Sequence, residues 1–226
     1  MATSSRSSAQ RRAPQPGRKP GVREQAAQVT QDNILRAATR IFAKSGFSGG
    51  RVDQISKAAR SYDRMIYYYY GSKEQLFIAV IEDLYRRFNE AESSLPLDEH
   101  DPEKSLIAVV QFIWDYYQNH PEFITLLNDE NLHRGKHISK SLRAKDYSSA
   151  ATGIVSAILA QGVARGIFRS DIRARDLYLA IASMNYFYLS NKYTLSAFFG
   201  EKLDHPDALA HWQSFVVDAI LRIVRK

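Results

Sequence analysis

From residue 34 to residue 223 the large apolar side chains recur every three or four positions, and no stretch alternates apolar and polar residues long enough to make a half-buried strand. Such a chain can bury its apolar surface only by packing helix on helix. The stops between the periodic runs number the helices. Runs begin near residues 25, 52, 62, 73, 102, 121, 142, 177 and 206, and they are interrupted by Gly46, Arg60-Ser61, Gly71, Pro96, Pro121, the basic bend 131–140, Gly166 and Gly200. Ser72-Lys73-Glu74-Gln75 has the form of a capping box, and Asp101-Pro102 that of a cap followed by a first-turn proline. The expectation is an all-α, nine-helix protein without internal repeats.

The chain has 226 residues, 45% of them hydrophobic, enough to bury a core in one or two domains. It has no cysteine, which excludes a disulfide framework, a thiolate zinc site and a cysteine nucleophile. No stretch is long and apolar enough to span a membrane, the best, 177–189, being too short, and residues 1–21 lack the apolar run of a secretory signal. A cytoplasmic protein with no membrane partner is expected.

Charge is unevenly placed. Residues 1–75 hold 14 Lys/Arg against 5 Asp/Glu, whereas the remainder carries 17 against 19. A positive field at one end points to a polyanion meeting that end. Residues 1–24, rich in Ser, Pro, Gly and Arg, read as a disordered basic tail. Arg11-Arg12 and Arg18-Lys19 could lie along phosphates, the competing reading being an idle solubilising tail. A tail of that kind does not explain the eight cations from Arg36 to Lys73.

Within that cationic region lies RVDQISKAARSYDRMIYYYYGSK, residues 51–73. Val52, Ile55, Ala58 and Ala59 trace the inner face of one short helix, and Met65 and Ile66 that of the next, with a polar break between them. This is the helix-turn-helix pattern, whose second helix lies in the major groove of DNA. The rival is an unrelated helical hairpin. Four consecutive tyrosines cover every direction around a helix, so one or two must face inward.

The segment 34–77 resembles the DNA-binding domain of the TetR (tetracycline-repressor) family of bacterial transcription regulators. The resemblance rests on Ile34-Leu35-x-Ala37-Ala38, Phe42, Gly46-Phe47, Val52-x-x-Ile55, Ala59, Ile66-Tyr67-Tyr68 and Gly71-Ser72-Lys73-Glu74-x-Leu76-Phe77. It departs from the family at Gly50-Arg51, where a hydroxyl residue is usual, and at Arg60-Ser61, where the turn usually has Gly-Val. An arginine resists the positive φ that a turn glycine permits, so Arg60 implies either ordinary backbone angles or strain. The resemblance implies a helix-turn-helix domain over 25–75 and an effector-binding and dimerisation domain over 76–226. Tyr62, Asp63, Arg64 and Met65 would read base edges, Arg64 bidentately to guanine. Asp63 could equally cap its helix. Tyr67, Tyr68, Lys73 and Arg51 would hold phosphates, and Tyr70 would pack in the core.

The family further implies a homodimer formed through the eighth and ninth helices, 177–199 and 206–223, although wide apolar helices can equally be internal core. It also implies a small-molecule effector pocket, with Trp114, Tyr117, Phe123, Leu127, Asn128, Asn131, Asn185 and Tyr186 as candidate lining, suited to an aromatic or polar heterocyclic ligand. For each of these, packing is the competing role. The stretch 120–137 is similar to regulators of pyrimidine and nicotinate-type catabolism. His133 and His137, four apart and near Asp129 and Glu130, have metal-ligand spacing, but Gly135 and Lys136 between them favour a surface loop, so no metal and no cofactor is expected. The functional expectation is a ligand-released repressor on palindromic double-stranded operator DNA. The rival class is a helical small-molecule-binding protein or enzyme with no role on DNA. For an enzyme the chain offers no Gly-rich phosphate loop, no H-E-x-x-H and no G-x-S-x-G.

Overall fold

The computed structural model describes residues 21–226. Among these, nine α-helices follow one another: α1 (Val22–Gly49), α2 (Val52–Ala58), α3 (Asp63–Tyr70), α4 (Lys73–Ser93), α5 (Pro102–Asn119), α6 (Pro121–Leu132), α7 (Ala144–Ala164), α8 (Ala174–Phe199) and α9 (Pro206–Val224), with a 3-10 turn (Ile138–Lys140) between α6 and α7. The only extended pairing among the described residues is an isolated bridge between Phe168 and Arg225. The tail segments Arg11-Arg12 and Arg18-Lys19 lie outside the described residues, whereas Glu24 belongs to the first turn of α1.

Several helix ends move for identifiable reasons. Gly46 takes φ 67°, the positive value expected of a stop, yet helical turns resume beyond it, so α1 is kinked there and continues to Gly49. Tyr62 is the extended N-cap of α3 rather than its first residue. Asp176 does not cap α8; the helix begins at Ala174, and Asp176 sits in its first turn accepting from Arg173 Nε at 2.7 Å. The expected caps of α4 and α5 do form: the Ser72 hydroxyl accepts from the Gln75 N–H at 3.1 Å, and Asp101 from the Lys104 N–H at 2.9 Å.

The buried apolar side chains form one contiguous cluster from Ile34 to Val224. In it Ile34, Ala37, Ala38 and Phe42 of α1 meet Ile55, Ile66, Leu76 and Phe77, which fixes the three-helix DNA end. Leu84 and Phe88 carry α4 on into the body against α5 and α6. Trp114 is buried and packs on Tyr188, which stacks on Trp212 at 4.8 Å, so α5, α8 and α9 share one aromatic column. Gly162 of α7 admits no side chain: a Cβ would lie 1.9 Å from the Phe168 ring.

Candidate nucleic-acid interface

The turn between α2 and α3 decides what α3 can present. Arg60 adopts φ 52°. Its N–H donates to Lys57 O at 3.2 Å and the Ser61 N–H to Ser56 O at 2.9 Å, the paired bonds of a Schellman C-cap with arginine in the left-handed position normally held by glycine. The turn is therefore strained rather than built from ordinary angles. It is locked by the buried Ser56, whose hydroxyl donates to the Asp63 carboxylate across the break. Asp63 thereby has one oxygen committed to the helix-turn-helix itself.

With the turn fixed, α3 presents an outer face. Ile66 is fully buried and Met65 half-buried, which aims Tyr62, Arg64, Tyr67 and Tyr68 outward, with Tyr62 69% and Tyr68 77% exposed. The Arg64 guanidinium lies 5.4 Å from the centre of the Tyr62 ring, a contact that keeps an uncompensated cation beside the start of the helix. Tyr70 turns inward. Its hydroxyl donates to Gln31 O of α1 at 3.2 Å, and burial pushes its pKa up to about 12. At the flanks, Lys73 sits over the Phe47 ring at 4.7 Å with its pKa lowered by burial, and the exposed Arg51 pairs with Asp53 at 3.0 Å. An arginine so paired must exchange a carboxylate for a phosphate to engage DNA.

The DNA end is joined to the body by polar contacts that no local pattern announces. The Phe47 N–H, freed by the kink at Gly46, donates to Asp129 Oδ2 of α6 at 2.8 Å. A Cβ on Gly46 would stand 2.6 Å from the other oxygen of that carboxylate. His137 is not on a surface loop: it is buried between Phe47 and Phe77, ring centres 4.3 and 4.9 Å away, because Glu130 holds it from below. The Glu130 carboxylate accepts from the backbone N–H groups of His137 and Ile138, and lies 2.6 Å from His137 Nδ1. Lys140 completes the link to Glu74 of α4 at 2.6 Å. No group of three or more metal-ligating side chains exists among the described residues. Asp129→Ala leaves a half-buried N–H without its charged acceptor, and is expected to cost about 1 kcal/mol in chemical denaturation.

In the body, α4, α5, α6, α7 and α8 border a cavity of about 390 Å³. Of the residues singled out from sequence, Tyr117, Phe123 and Leu127 line it, joined by Tyr85, Phe88, Asn89, Arg175 and Tyr178. The others lie elsewhere: Trp114 is in the aromatic column, Asn131 bonds back to Leu127 O at 2.9 Å, and Asn128 ties to Ser190 at 3.0 Å and to the Tyr186 hydroxyl. Asn185 is fully buried, and neither end of its amide has a hydrogen-bond partner among the described residues. One turn beyond Phe88 and Asn89, Glu92 is only 1% exposed with both carboxylate oxygens unpartnered among the described residues, and burial pushes its pKa up to about 7. Burial raises the pKa values of the cavity residues Tyr117 and Tyr178, and the Glu92 charge adds to the rise.

Comparison with known proteins agrees with this geometry. Residues 34–80 match the family described as bacterial regulatory proteins, tetR family, and residues 102–220 match the tetracyclin repressor-like C-terminal domain. The chain belongs to the TetR family. It is 52% identical over 209 residues to the HTH-type transcriptional repressor NicS of Pseudomonas putida, covering 92% of this chain and 99% of that protein. Two solved structures share the fold: a tetR-family regulatory protein from Rhodococcus, with TM-score 0.68, 17% identity and 87% and 97% of the two chains covered, and a TetR transcriptional regulator from Chloroflexus aurantiacus, with TM-score 0.66, 19% identity and 89% and 98% covered. This TetR-family chain is thus a helix-turn-helix DNA-binding regulator and not an enzyme, its DNA-binding domain implies operator DNA and dimerisation, and among the described residues no helix is long and apolar enough to cross a membrane.

Proposed function

We propose that the chain is a homodimeric repressor that binds a palindromic operator and is released by a small molecule in the cavity between α4 and α8. The carrying observation is the outer face of α3, where Tyr62, Arg64, Tyr67 and Tyr68 stand in solvent while Ile66 and Tyr70 are held inside. On this reading Arg64, with Tyr62, Asp63 and Met65 around it, meets base edges; Tyr67, Tyr68, Lys73 and Arg51 take phosphates. Residues 25–75 then form the reading head and 76–226 the sensing and dimerising body.

The effector is an aromatic or polar heterocyclic molecule, because the cavity is walled by Tyr85, Phe88, Tyr117, Phe123 and Tyr178 with Asn89 and Arg175 as polar handles. Its message travels on α4, which lines the cavity at Phe88 and enters the DNA end at Lys73, and on α6, which lines it at Leu127 and grips Phe47 through Asp129. A ligand that favours another pose of these two helices changes the spacing of the two recognition helices.

The test is selection of bound sequences from random DNA, followed by a screen for compounds that release the recovered duplex. A palindrome with half-sites about one helical turn apart, or a multiple of it, is expected. Arg64→Ala should lower affinity for it by about 1–3 kcal/mol and relax the preference at one position in each half-site. Unchanged affinity after Arg64→Ala combined with Tyr67→Phe would remove α3 from the interface.

A further inference from the structure

Beside the recognition helix lies a second cationic feature that the role of α3 does not use. A polar cleft of about 260 Å³ is lined by Asn33, Arg36 and Arg40 of α1 and by Ala58, Ala59 and Arg60 at the end of α2. None of its lining residues is acidic, and none of the three arginines takes part in an ion pair among the described residues. Arg36 is oriented by a bond to Asn33 Oδ1 at 2.6 Å, and Asp32, one turn away, instead accepts from Gln28 at 2.9 Å. Three arginines lining one cleft without a counter-charge favour an anion there.

Arg60 strengthens the case. It occupies a left-handed position that glycine would fill without strain, and what the arginine provides in return is a guanidinium at the cleft. The position also bears on which anion arrives. Arg60 precedes the first residue of α3 by three residues, so its Cα lies within about 11 Å of the helix start. In a helix-turn-helix that end of the recognition helix enters the major groove, and the elements behind it cross the sugar-phosphate backbone.

We propose that Arg36, Arg40 and Arg60 form a phosphate cradle that binds one backbone phosphodiester beside the major groove, outside the footprint of α3. The cradle adds affinity and register but no sequence information. It extends each half-site contact by one phosphate, and through Arg60 it joins that phosphate to the turn that aims the recognition helix.

The experiment measures binding of the full-length protein to a random-sequence duplex of about 30 base pairs as a function of KCl, since a phosphate contact is independent of sequence. Arg36→Gln with Arg40→Gln should make the slope of log K against log salt shallower by about 1 for each protomer bound, and weaken binding about tenfold near physiological salt. Lys44→Gln, a cation on α1 outside the cleft, should change the slope by less than half as much. Arg60→Gly supplies the readout that a structural role would not give: relief of the strained φ should raise Tm by about 2–4 °C while DNA binding weakens. Unchanged slopes in the arginine variants, or an equal effect of Lys44→Gln, would overturn the proposal. So would a wild-type Tm raised by inorganic phosphate at constant ionic strength, and not raised in Arg36→Gln/Arg40→Gln, with unaltered DNA slopes; that result assigns the cleft to a free anion.

Discussion

Glu92→Gln is expected to stabilise the protein by about 3 kcal/mol more above pH 7 than below pH 4.5. The wild-type carboxyl is almost fully buried, has no hydrogen-bond partner among the described residues, and is pushed up to about 7 from an ordinary 4.5 because burial penalises its charged form. A raised folded-state pKa sets the sign. Below 4.5 the group is neutral whether the chain is folded or not, so its contribution is fully present. Between 4.5 and about 7 the unfolded chain ionises and the folded one does not, so stability falls as pH rises, and above about 7 the loss is complete. Glutamine keeps the shape and removes the titration. Scans at the two ends of this window should therefore show Tm of the variant gaining about 6–12 °C relative to wild type at the alkaline end. An equal difference at both ends would mean that Glu92 is not held neutral in the fold.

This acid also marks where the sequence stopped being informative. Glu92 reads as one more charged position on α4, because nothing local reveals that the α4 turn carrying Asn89 and Phe88 closes beneath a cavity bordered by Tyr117 and Tyr178. The same holds for the joint at Asp129, Glu130 and His137. Their spacing suggests a metal or a surface loop, and only the kink at Gly46, 83 residues before Asp129, supplies the donor that gives Asp129 its role. What was legible depended on local chemistry: periodicity for the nine helices, Ser72 and Asp101 for two caps, Gly71 for a stop, and the order of residues 34–77 for the family. Arg60 was legible as a conflict, and the structure resolves it toward strain. Of the eight candidate lining residues three border the cavity, because aromatic residues on helix faces identify themselves as buried, whereas which buried face borders empty space is a property of five helices at once. Tyr117 and Trp114 are three residues apart on α5, yet one borders the cavity and the other fills the aromatic column.

The largest effect on DNA binding should come from residues far from DNA. Phe187 and Phe198 are exposed along one side of α8, with Phe198 84% exposed, and α9 adds Phe215 and Ile223. Eleven residues separate the first two, a spacing that returns to nearly the same helix face. A lone chain exposing this stripe pays for it in solubility, whereas a second copy, bringing the same stripe by two-fold symmetry, covers it with like against like. Phe187→Glu with Phe198→Glu places carboxylates where they would have to be desolvated without partners, several kcal/mol each, and both side chains are largely exposed in the single chain. The variant should therefore keep its helical circular dichroism but scatter light at 25.7 kDa rather than twice that mass. Its affinity for the selected palindrome should fall by at least about a thousandfold, the gap between specific and non-specific binding, because one recognition helix reads too few base pairs to hold a site alone. A variant that stays dimeric at micromolar concentration would remove these aromatics from the interface. A true monomer that still binds the palindrome at wild-type affinity would show that the reading heads act singly.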